Sequence, residues 1–425
     1  MRFLAIPIVF ALAVPAAAEV IGQMTPAEPL TDARIAALPA AEREAWRAYL
    51  ARSTALMAAD KAALLAERKG LGTVPPGPPN GPSGGGGMPM DKPADWYAGA
   101  EARRIADSVV SFQTPAGGWG KNQNRDAPPR LRGQSFVIIE TLPPEAAGDI
   151  VSLDKGWRYV GTLDNNATVA EIRFLARVQA ALPGKDGEPY RAAALKGLRY
   201  ILGAQYPNGG WPQIYPLQGG YHDAVTFNDD AVSRAAQLML DTGARKGDFA
   251  FVSPELGNEA ALAATKARKA ILRSQVVLDG KRTIWGQQHD ALTLAPTGAR
   301  NFEPKSLASE ESADLLIFLM KQPDRSPELV AAVRDGIAWL EAHALRDIGW
   351  TPKPGRRLVA MPGAGPLWSR FYSLDRQTPI YGDRDRRILS DVNQLIPERR
   401  DGDNWVGAGP AKAIAMYAKW PARTP

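Results

Sequence analysis

Two runs of three side chains carry much of the oxygen chemistry this sequence can offer. They are Asp164, Asn165 and Asn166 in TLDNNATVAEIRFLARV, and Asn228, Asp229 and Asp230 in TFNDDAVSRAAQLML. Each run stands at a predicted helix start. One reading is local: Asx and Thr side chains cap the free amide groups of a helix N-terminus. Capping explains one residue per helix, and here there are three. The other reading is that both runs face one cleft and offer several oxygens to a hard cation such as Ca²⁺. The spacing is not that of an EF-hand loop. On these residues alone both readings stay open.

A second group is cationic and lies in loops punctuated by Gly and Pro. Lys121 and Asn122 follow QTPAGGW. Arg300 and Lys305 stand in TGARNFEPKSLASEES. Arg370 and Arg384 stand in SRFYSLDRQTPIYGDRD. A guanidinium presents a planar fork that grips a carboxylate with two parallel hydrogen bonds. Aromatic residues are interleaved, among them Trp211, Tyr215, Trp285, Phe302, Trp368 and Tyr381. Arginine beside flat aromatics suits acidic sugars or nucleic acid. For any one residue, the plainer reading is a solvated loop charge over a packed core.

Composition removes other chemistries. The chain has no cysteine, which excludes thiolate catalysis, disulfides, Cys-ligated zinc and iron–sulfur clusters. Its only histidines are His222, His289 and His343, and none lies in an H-E-x-x-H pattern. The 425 residues are 45% hydrophobic and 23% charged, an ordinary globular balance. The formal charge of +6 favours anionic partners.

The elements that must position these residues are mostly helices. Apolar residues recur at helical spacing in YRAAALKGLRYILGAQ, NEAALAATKARKAILRSQ, SADLLIFLMKQ and SPELVAAVRDGIAWLEAHAL. Strand signals are scarce, with RTIWGQQ and RRLVAMP the best. Two helices end in nearly the same turn, QTPAGGW (113–119) and QYPNGGW (205–211). In each, Pro cannot continue the helix and the glycines permit special backbone angles. WLEAHALRDIGW (339–350) reads as a degenerate copy of that turn, and SLASEESADLLIFLM (306–320) as a third helix start. Repeated helical hairpins of unequal length indicate a mainly α fold, a closed or partly closed α/α toroid with long loops and few short strands.

The N-terminus reads as a leader. Arg2, an apolar run over 3–14 and a small-residue site before Glu19 mark a cleavable signal peptide at 1–18 and an exported protein, secreted or periplasmic. The expected division continues with an N-terminal helical segment at 19–73 and a Pro/Gly-rich linker or mobile loop at 74–93. The catalytic toroid is expected at 94–425. Whether residues 25–72 dock on that body or form a separate arm is open in the sequence.

Five segments, in order, carry a resemblance: QTPAGGWGKN, TLDNNATVAEIRFLARV, GAQYPNGGWPQIYPLQGGYHDAVTFNDDA, GQQHDALTLAPTGARNFEPKSLASEES and SRFYSLDRQTPIYGDRD. Together the chain resembles the pectate lyases of polysaccharide lyase family ten over roughly residues 94–420. The resemblance implies an irregular (α/α)₃ toroid and β-elimination on polygalacturonate. It implies Ca²⁺ held between protein and substrate carboxylates and an arginine as Brønsted base. A monomer is expected, with no nucleic-acid partner and no membrane insertion. By position it implies Arg300 as the base, Arg370 and Arg384 as grips for substrate carboxylates, and Asp164 with Asp229 or Asp230 as calcium ligands. Lys121, Asn122, His289, Trp211 and Lys305 fall in matching segments as substrate-binding candidates. Phe302 replaces the family's usual Tyr, and Lys305 stands where Pro is common.

Three rivals compete with this reading. GLRYILGAQYPNGGW is similar to the Gln–Trp repeats of triterpene cyclases, but FNDD lacks the leading acid of their proton donor. A glycoside hydrolase on an α/α barrel would use two carboxylates, such as Asp164 with Glu310 or Glu311. A non-catalytic binder of acidic glycans would bind without turnover. Only elimination creates a product that absorbs in the ultraviolet.

Overall fold

The computed structural model describes residues 19–82, 87–138, 157, 160–182 and 184–421. The expected leader at 1–18 and part of the Pro/Gly-rich stretch (83–86) lie outside the described residues. The helices are α1 (Asp32–Ala36), α2 (Ala40–Arg68), α3 (Ala100–Ser111), α4 (Val169–Ala181), α5 (Glu188–Ala204), α6 (Ala231–Ala244), α7 (Pro254–Ser274), α8 (Ser309–Lys321), α9 (Pro327–Ala342), α10 (Pro397–Gly402) and α11 (Pro410–Tyr417).

Three helical hairpins follow one another: α4 with α5, α6 with α7, and α8 with α9. The first helix of each is buried on most sides; α4 buries Val169, Ala170, Ile172, Phe174, Leu175, Ala176 and Val178. A helix apolar nearly all round must be enclosed by neighbours. Accordingly α4 packs on α6, and α6 on α8, as an inner layer. The return helices keep one polar face. In α7 the buried residues Leu256, Ala260, Ala263, Ala264, Ala267 and Ile271 form a stripe.

The twin turns fasten these hairpins. Gln113 Nε2 donates to its own turn at Gly117 O (2.9 Å) and to α5 at Ala193 O (3.0 Å). Gln205 Nε2 donates likewise to Gly209 O (3.0 Å) and to α7 at Ala263 O (2.9 Å). Gly209 has φ +101°, and a Cβ there would lie 2.3 Å from Lys266 O, so the turn needs glycine. The indoles of Trp119 and Trp211 donate back into the preceding helix, to Val109 O (2.7 Å) and Ile201 O (2.8 Å). A third copy exists without the sequence signature. Gln275 Nε2 donates to Thr283 O and to Ala332 O on α9, both at 2.9 Å, and Trp285 Nε1 donates to Ile271 O at 2.7 Å. Residues 339–350, expected to be that copy, instead run from α9 into a strand at Ile348–Trp350, and the indole that closes α9 is Trp368, donating to Leu340 O at 2.7 Å. The third turn carries a short hairpin between its Gln and Trp, so spacing hides it.

The capping expectation is corrected. Neither α4 nor α6 has a side-chain cap hydrogen bond. Each Asx run forms one turn of 3₁₀ helix containing left-handed residues: Asn165 (φ 52°) and Asn166 (φ 61°) in one, Asp229 (φ 52°) and Asp230 (φ 59°) in the other. Asn and Asp tolerate that region better than other non-glycine residues.

The N-terminal helix α2 belongs to the main core. Trp46 and Tyr49 are buried against Tyr206, with ring centroids 5.1 and 4.8 Å away, and the Tyr49 hydroxyl donates to Ala204 O at 2.9 Å. Burying such a ring stabilises by about 1.5–3 kcal/mol. Asp60 accepts from Ala116 N in the first twin turn (2.8 Å). A small antiparallel sheet runs in the order Val20–Gln23, Arg387–Leu389, Pro379–Gly382, Phe371–Tyr372, Leu307–Ala308. Phe302, Phe371, Ile380, Tyr381, Leu389 and Trp405 form a second, separate core with it.

Candidate active site

The two left-handed turns meet at the mouth of the helical body. Asp164 is buried, and its Oδ2 lies 2.9 Å from Lys121 Nζ. Its Oδ1 accepts from Gln213 Nε2 at 3.1 Å. Burial opposes its charge, but the Lys121 ammonium holds its carboxyl below the usual range. Asp229 hydrogen-bonds the same carboxyl, and desolvation together with the Asp164 charge pushes Asp229 up to about 7. Two carboxyl groups can share a hydrogen bond only if one keeps a proton. Asn165 Nδ2 donates to Asn122 Oδ1 at 3.1 Å, which ties in the loop after the first twin turn.

Arg300 completes this cluster from a distant loop. A cavity of about 170 Å³ is lined by Lys121, Asp164, Asp229, Gln213, Gln287 and Arg300, with Glu303 in its wall. Glu303 is buried and binds Arg300 at three points: its Oε2 accepts from the Arg300 backbone N (3.1 Å) and Nε (2.8 Å), and its Oε1 from Nη2 (2.5 Å). Desolvation opposes the Glu303 charge, yet Arg300 holds its carboxyl at about 2. Reciprocally, Glu303 overcomes desolvation and raises Arg300 well above its ordinary value.

Arg370 stands between this cavity and a second one. It reaches Asp403 (3.3 Å), Asn228 (3.3 Å), Gln287 (3.4 Å), and both Glu303 and Glu311 (3.5 Å). The second cavity, about 280 Å³, is walled by Asp229, Asp230, Glu310, Glu311, Asp314, Arg234 and Arg370. Behind Arg300 the buried ring of Phe302 carries three guanidinium groups, those of Arg300 (4.6 Å), Arg384 (5.0 Å) and Arg399 (3.9 Å). Ring faces attract cations, which helps hold like charges together.

Comparison with known proteins places this arrangement. The pectic acid lyase family profile matches residues 113–414. A family 10 polysaccharide lyase from Cellvibrio cellulosa is 30% identical, with a TM-score of 0.64, covering 77% of this chain and 95% of that one. The chain belongs to the pectic acid lyase family. A mutant of the Cellvibrio lyase in complex with trigalacturonic acid is also 30% identical, with a TM-score of 0.63, covering 77% of this chain and 96% of that chain. No curated protein matches. The chain is thus a pectate lyase by class, and its hairpin body is the (α/α)₃ toroid of the family 10 lyases.

For this pectate lyase the expected site residues divide by location. Lys121, Asp164, Asp229 and Arg300 line one cavity, with Arg370 at its edge. Asn122 supports Asn165 from behind. Asp230 turns away from Asp164 to Arg234 at 2.9 Å. Arg384 pairs with Glu398 at 3.1 Å, across Phe302 from Arg300. Lys305 is exposed and lines a different groove, beside Arg346 and Arg376. Trp211 is fully buried in the second twin turn. His289 is fully buried; its Nε2 accepts from Gly286 N (2.9 Å) and its Nδ1 donates to Leu294 O (2.8 Å), which spends both ring nitrogens on the backbone. Burial lowers it to about 4, so it stays neutral.

Sequence reasoning passed over Glu303, Gln213, Gln287 and Arg399. Glu303 carried a signal, since its i, i+3 spacing from Arg300 allows an ion pair. Arg399 in PERRDGDNW carried none, because it reaches Phe302 from α10, far along the chain.

Proposed function

We propose that this pectate lyase is an exported, Ca²⁺-assisted enzyme that cleaves polygalacturonate by β-elimination, with Arg300 as the base. One observation carries the reading: Arg300, Lys121, Asp164 and Asp229 converge on one cavity from four separated parts of the chain. The trigalacturonic acid held by the Cellvibrio relative supports an oligogalacturonate as ligand here.

The chemistry is accounted for atom by atom. The C5 proton passes to a nitrogen of Arg300. The C5–H electron pair becomes the C4–C5 double bond. The C4–O bond breaks, its electron pair leaves on the glycosidic oxygen, and that oxygen takes a proton from water. Removing the C5 proton builds negative charge next to a carboxylate, and Lys121 and Arg370 stand ready to stabilise it; donors of this kind contribute roughly 2.7–4 kcal/mol each. A free guanidinium is a poor base. The like charges of Arg370 and Arg399 work toward loss of its proton, against the stronger opposite pull of Glu303.

The residues present fit a calcium ion. Asp164 and Asp229 share a proton where a divalent cation would relieve their repulsion. Among the described residues Gln213 Oε1 and Gln288 Oε1 are buried without hydrogen-bond partners, and both residues line the cavity. Hard oxygens of this kind suit Ca²⁺. Among the described residues no three acids or histidines converge closely enough to hold a metal by themselves, so substrate carboxylates would complete the shell. When bound, Ca²⁺ would withdraw charge from the substrate carboxylate.

Export rests on the leader pattern at 1–18. Among the described residues no helix is long and apolar enough to cross a membrane. The test of the whole reading is ultraviolet absorbance during incubation with polygalacturonate, with and without chelator. A rise that chelator abolishes is the expected result. No rise at alkaline pH with Ca²⁺ present would overturn the lyase reading for this substrate. A chelator-insensitive rise would remove only the calcium.

A further inference from the structure

Arg300 is not simply an arginine at the edge of a cleft. Glu303 occupies its backbone N–H, Nε and Nη2, so the rear edge of the fork is fully engaged. Nη1 has no hydrogen-bond partner among the described residues, and the side chain lines the cavity shared with Lys121 and Asp164. Glu303 is itself locked. It is 2% exposed, its Oε1 accepts from Gln287 Nε2 at 3.1 Å, and Arg370 Nη2 lies 3.5 Å from the same oxygen. Few rotamers satisfy all of these contacts at once.

We infer that Glu303 is the positioning residue of the elimination: it grips Arg300 from behind and presents one nitrogen, Nη1, to the substrate proton. The inference rests on Arg300 being the base. A rigid grip matters because misplacing a reacting group by about 1 Å costs on the order of 10²-fold in rate. The grip also acts on the protonation of Arg300, since a carboxylate stabilises the guanidinium it binds. Tyr221, Asp403, Arg370, Arg399 and His222 also bear on the charge of Arg300, and Lys121 lines the same cavity. Glu303 therefore trades basicity for aim, and the like charges of Arg370 and Arg399 oppose only part of its pull.

Two variants separate these effects. Glu303→Gln keeps the shape and removes the charge. Glu303→Asp keeps the charge and withdraws it by one methylene. The measurements are kcat, KM and the pH–rate profile on polygalacturonate, with melting temperature as a folding check. For Glu303→Gln we expect kcat to fall about 10²-fold with KM changed far less. The rising limb of its profile should move to lower pH, because the guanidinium loses its partner. Glu303→Asp should lose roughly 10-fold in kcat and leave the limb in place. If the Gln variant does not fold, the Asp variant decides: an undiminished kcat overturns the inference. A Gln variant with kcat within about threefold of the parent and an unmoved limb overturns it too. So does a fall in melting temperature with no change in kcat or limb. Arg300→Ala is measured beside them. If it keeps full rate, the base assignment falls and takes this inference with it. If it is inactive while Glu303→Gln is not, only the positioning role falls.

Discussion

The two cavities share Asn165, Asn228 and Asp229 in their walls, yet they handle charge in opposite ways. In the smaller one the two deepest acids have cations: Asp164 has Lys121, and Glu303 has Arg300 and Arg370. In the larger one acids accumulate. Asp314 is crowded by Asp230, Glu310 and Glu311, and desolvation with those charges raises it to about 7. A substrate made of carboxylates is attracted to the first arrangement and repelled by the second. The second left-handed Asx run stands between them: Asp229 lines both cavities and hydrogen-bonds Asp164, whereas Asp230 lines only the larger one and pairs with Arg234.

The largest effect should come from the mixed-charge side. Arg300→Ala should lower kcat by about 10³-fold, within the range for loss of a general base. Product absorbance under saturating substrate checks this. Arg300→Lys should recover little, because an ammonium cannot meet Glu303 at both oxygens while facing the substrate. Next comes the acid pair. Asp164→Asn should cost on the order of 10²-fold and leave a residual rate that no longer responds to chelator or added Ca²⁺. A calcium titration of both proteins tests it. If the variant keeps the parent's calcium dependence, Asp164 is not a ligand.

The dividing run gives a sharper contrast. Asp229→Asn should behave like Asp164→Asn, whereas Asp230→Asn should change kcat by less than about threefold. Asp230 already has Arg234 at 2.9 Å and faces the acidic cavity. Equal losses in both variants would mean that the two cavities act as one site, and the contrast drawn above would fail.

The sequence revealed the repeats more readily than the site. QTPAGGW and QYPNGGW were visible because both copies keep their Gln, Pro, glycines and Trp at fixed spacing. The third copy was hidden because a two-strand hairpin separates Gln275 from Trp285. The Asx runs were visible as excess oxygen, but their left-handed backbone was not, and helical capping looked like the local explanation. That Asp229 reaches Asp164 while Asp230 pairs with Arg234 depends on a backbone with φ angles of 52° and 59°, which residue types do not announce. Arg300, Arg370 and Arg384 stood out by residue type and family position. The grouping of Arg300 and Arg384 with Arg399 could not be read, because it depends on Phe302, which packs with a sheet whose strands are two to four residues long. Such strands are too short to show an alternating pattern. His289 and Trp211 show the converse: residues near chemistry in the sequence have their ring nitrogens on backbone hydrogen bonds in the fold.

The smallest expected effect tests the acidic side by itself. Asp314 is exposed at the cavity rim, and its proton is held to about pH 7 against an ordinary value of 3.8. The folded state therefore keeps a proton that the unfolded chain releases from about pH 4 upward. Stability is unaffected below the lower value, declines as pH rises between the two, and stays lowered above about 7. Asn resembles the protonated acid and carries no such decline. Asp314→Asn should thus match the parent's melting temperature at pH 4 and exceed it at pH 8. Solvent screening at an exposed rim limits the gain to about 0.5 kcal/mol. Activity on polygalacturonate should stay close to that of the parent. A melting-temperature gap that is the same at both pH values would show that Arg234 and Arg370 already neutralise this cavity. The two cavities would then differ in shape alone, and repulsion by the acidic one could not direct a carboxylate substrate to the other.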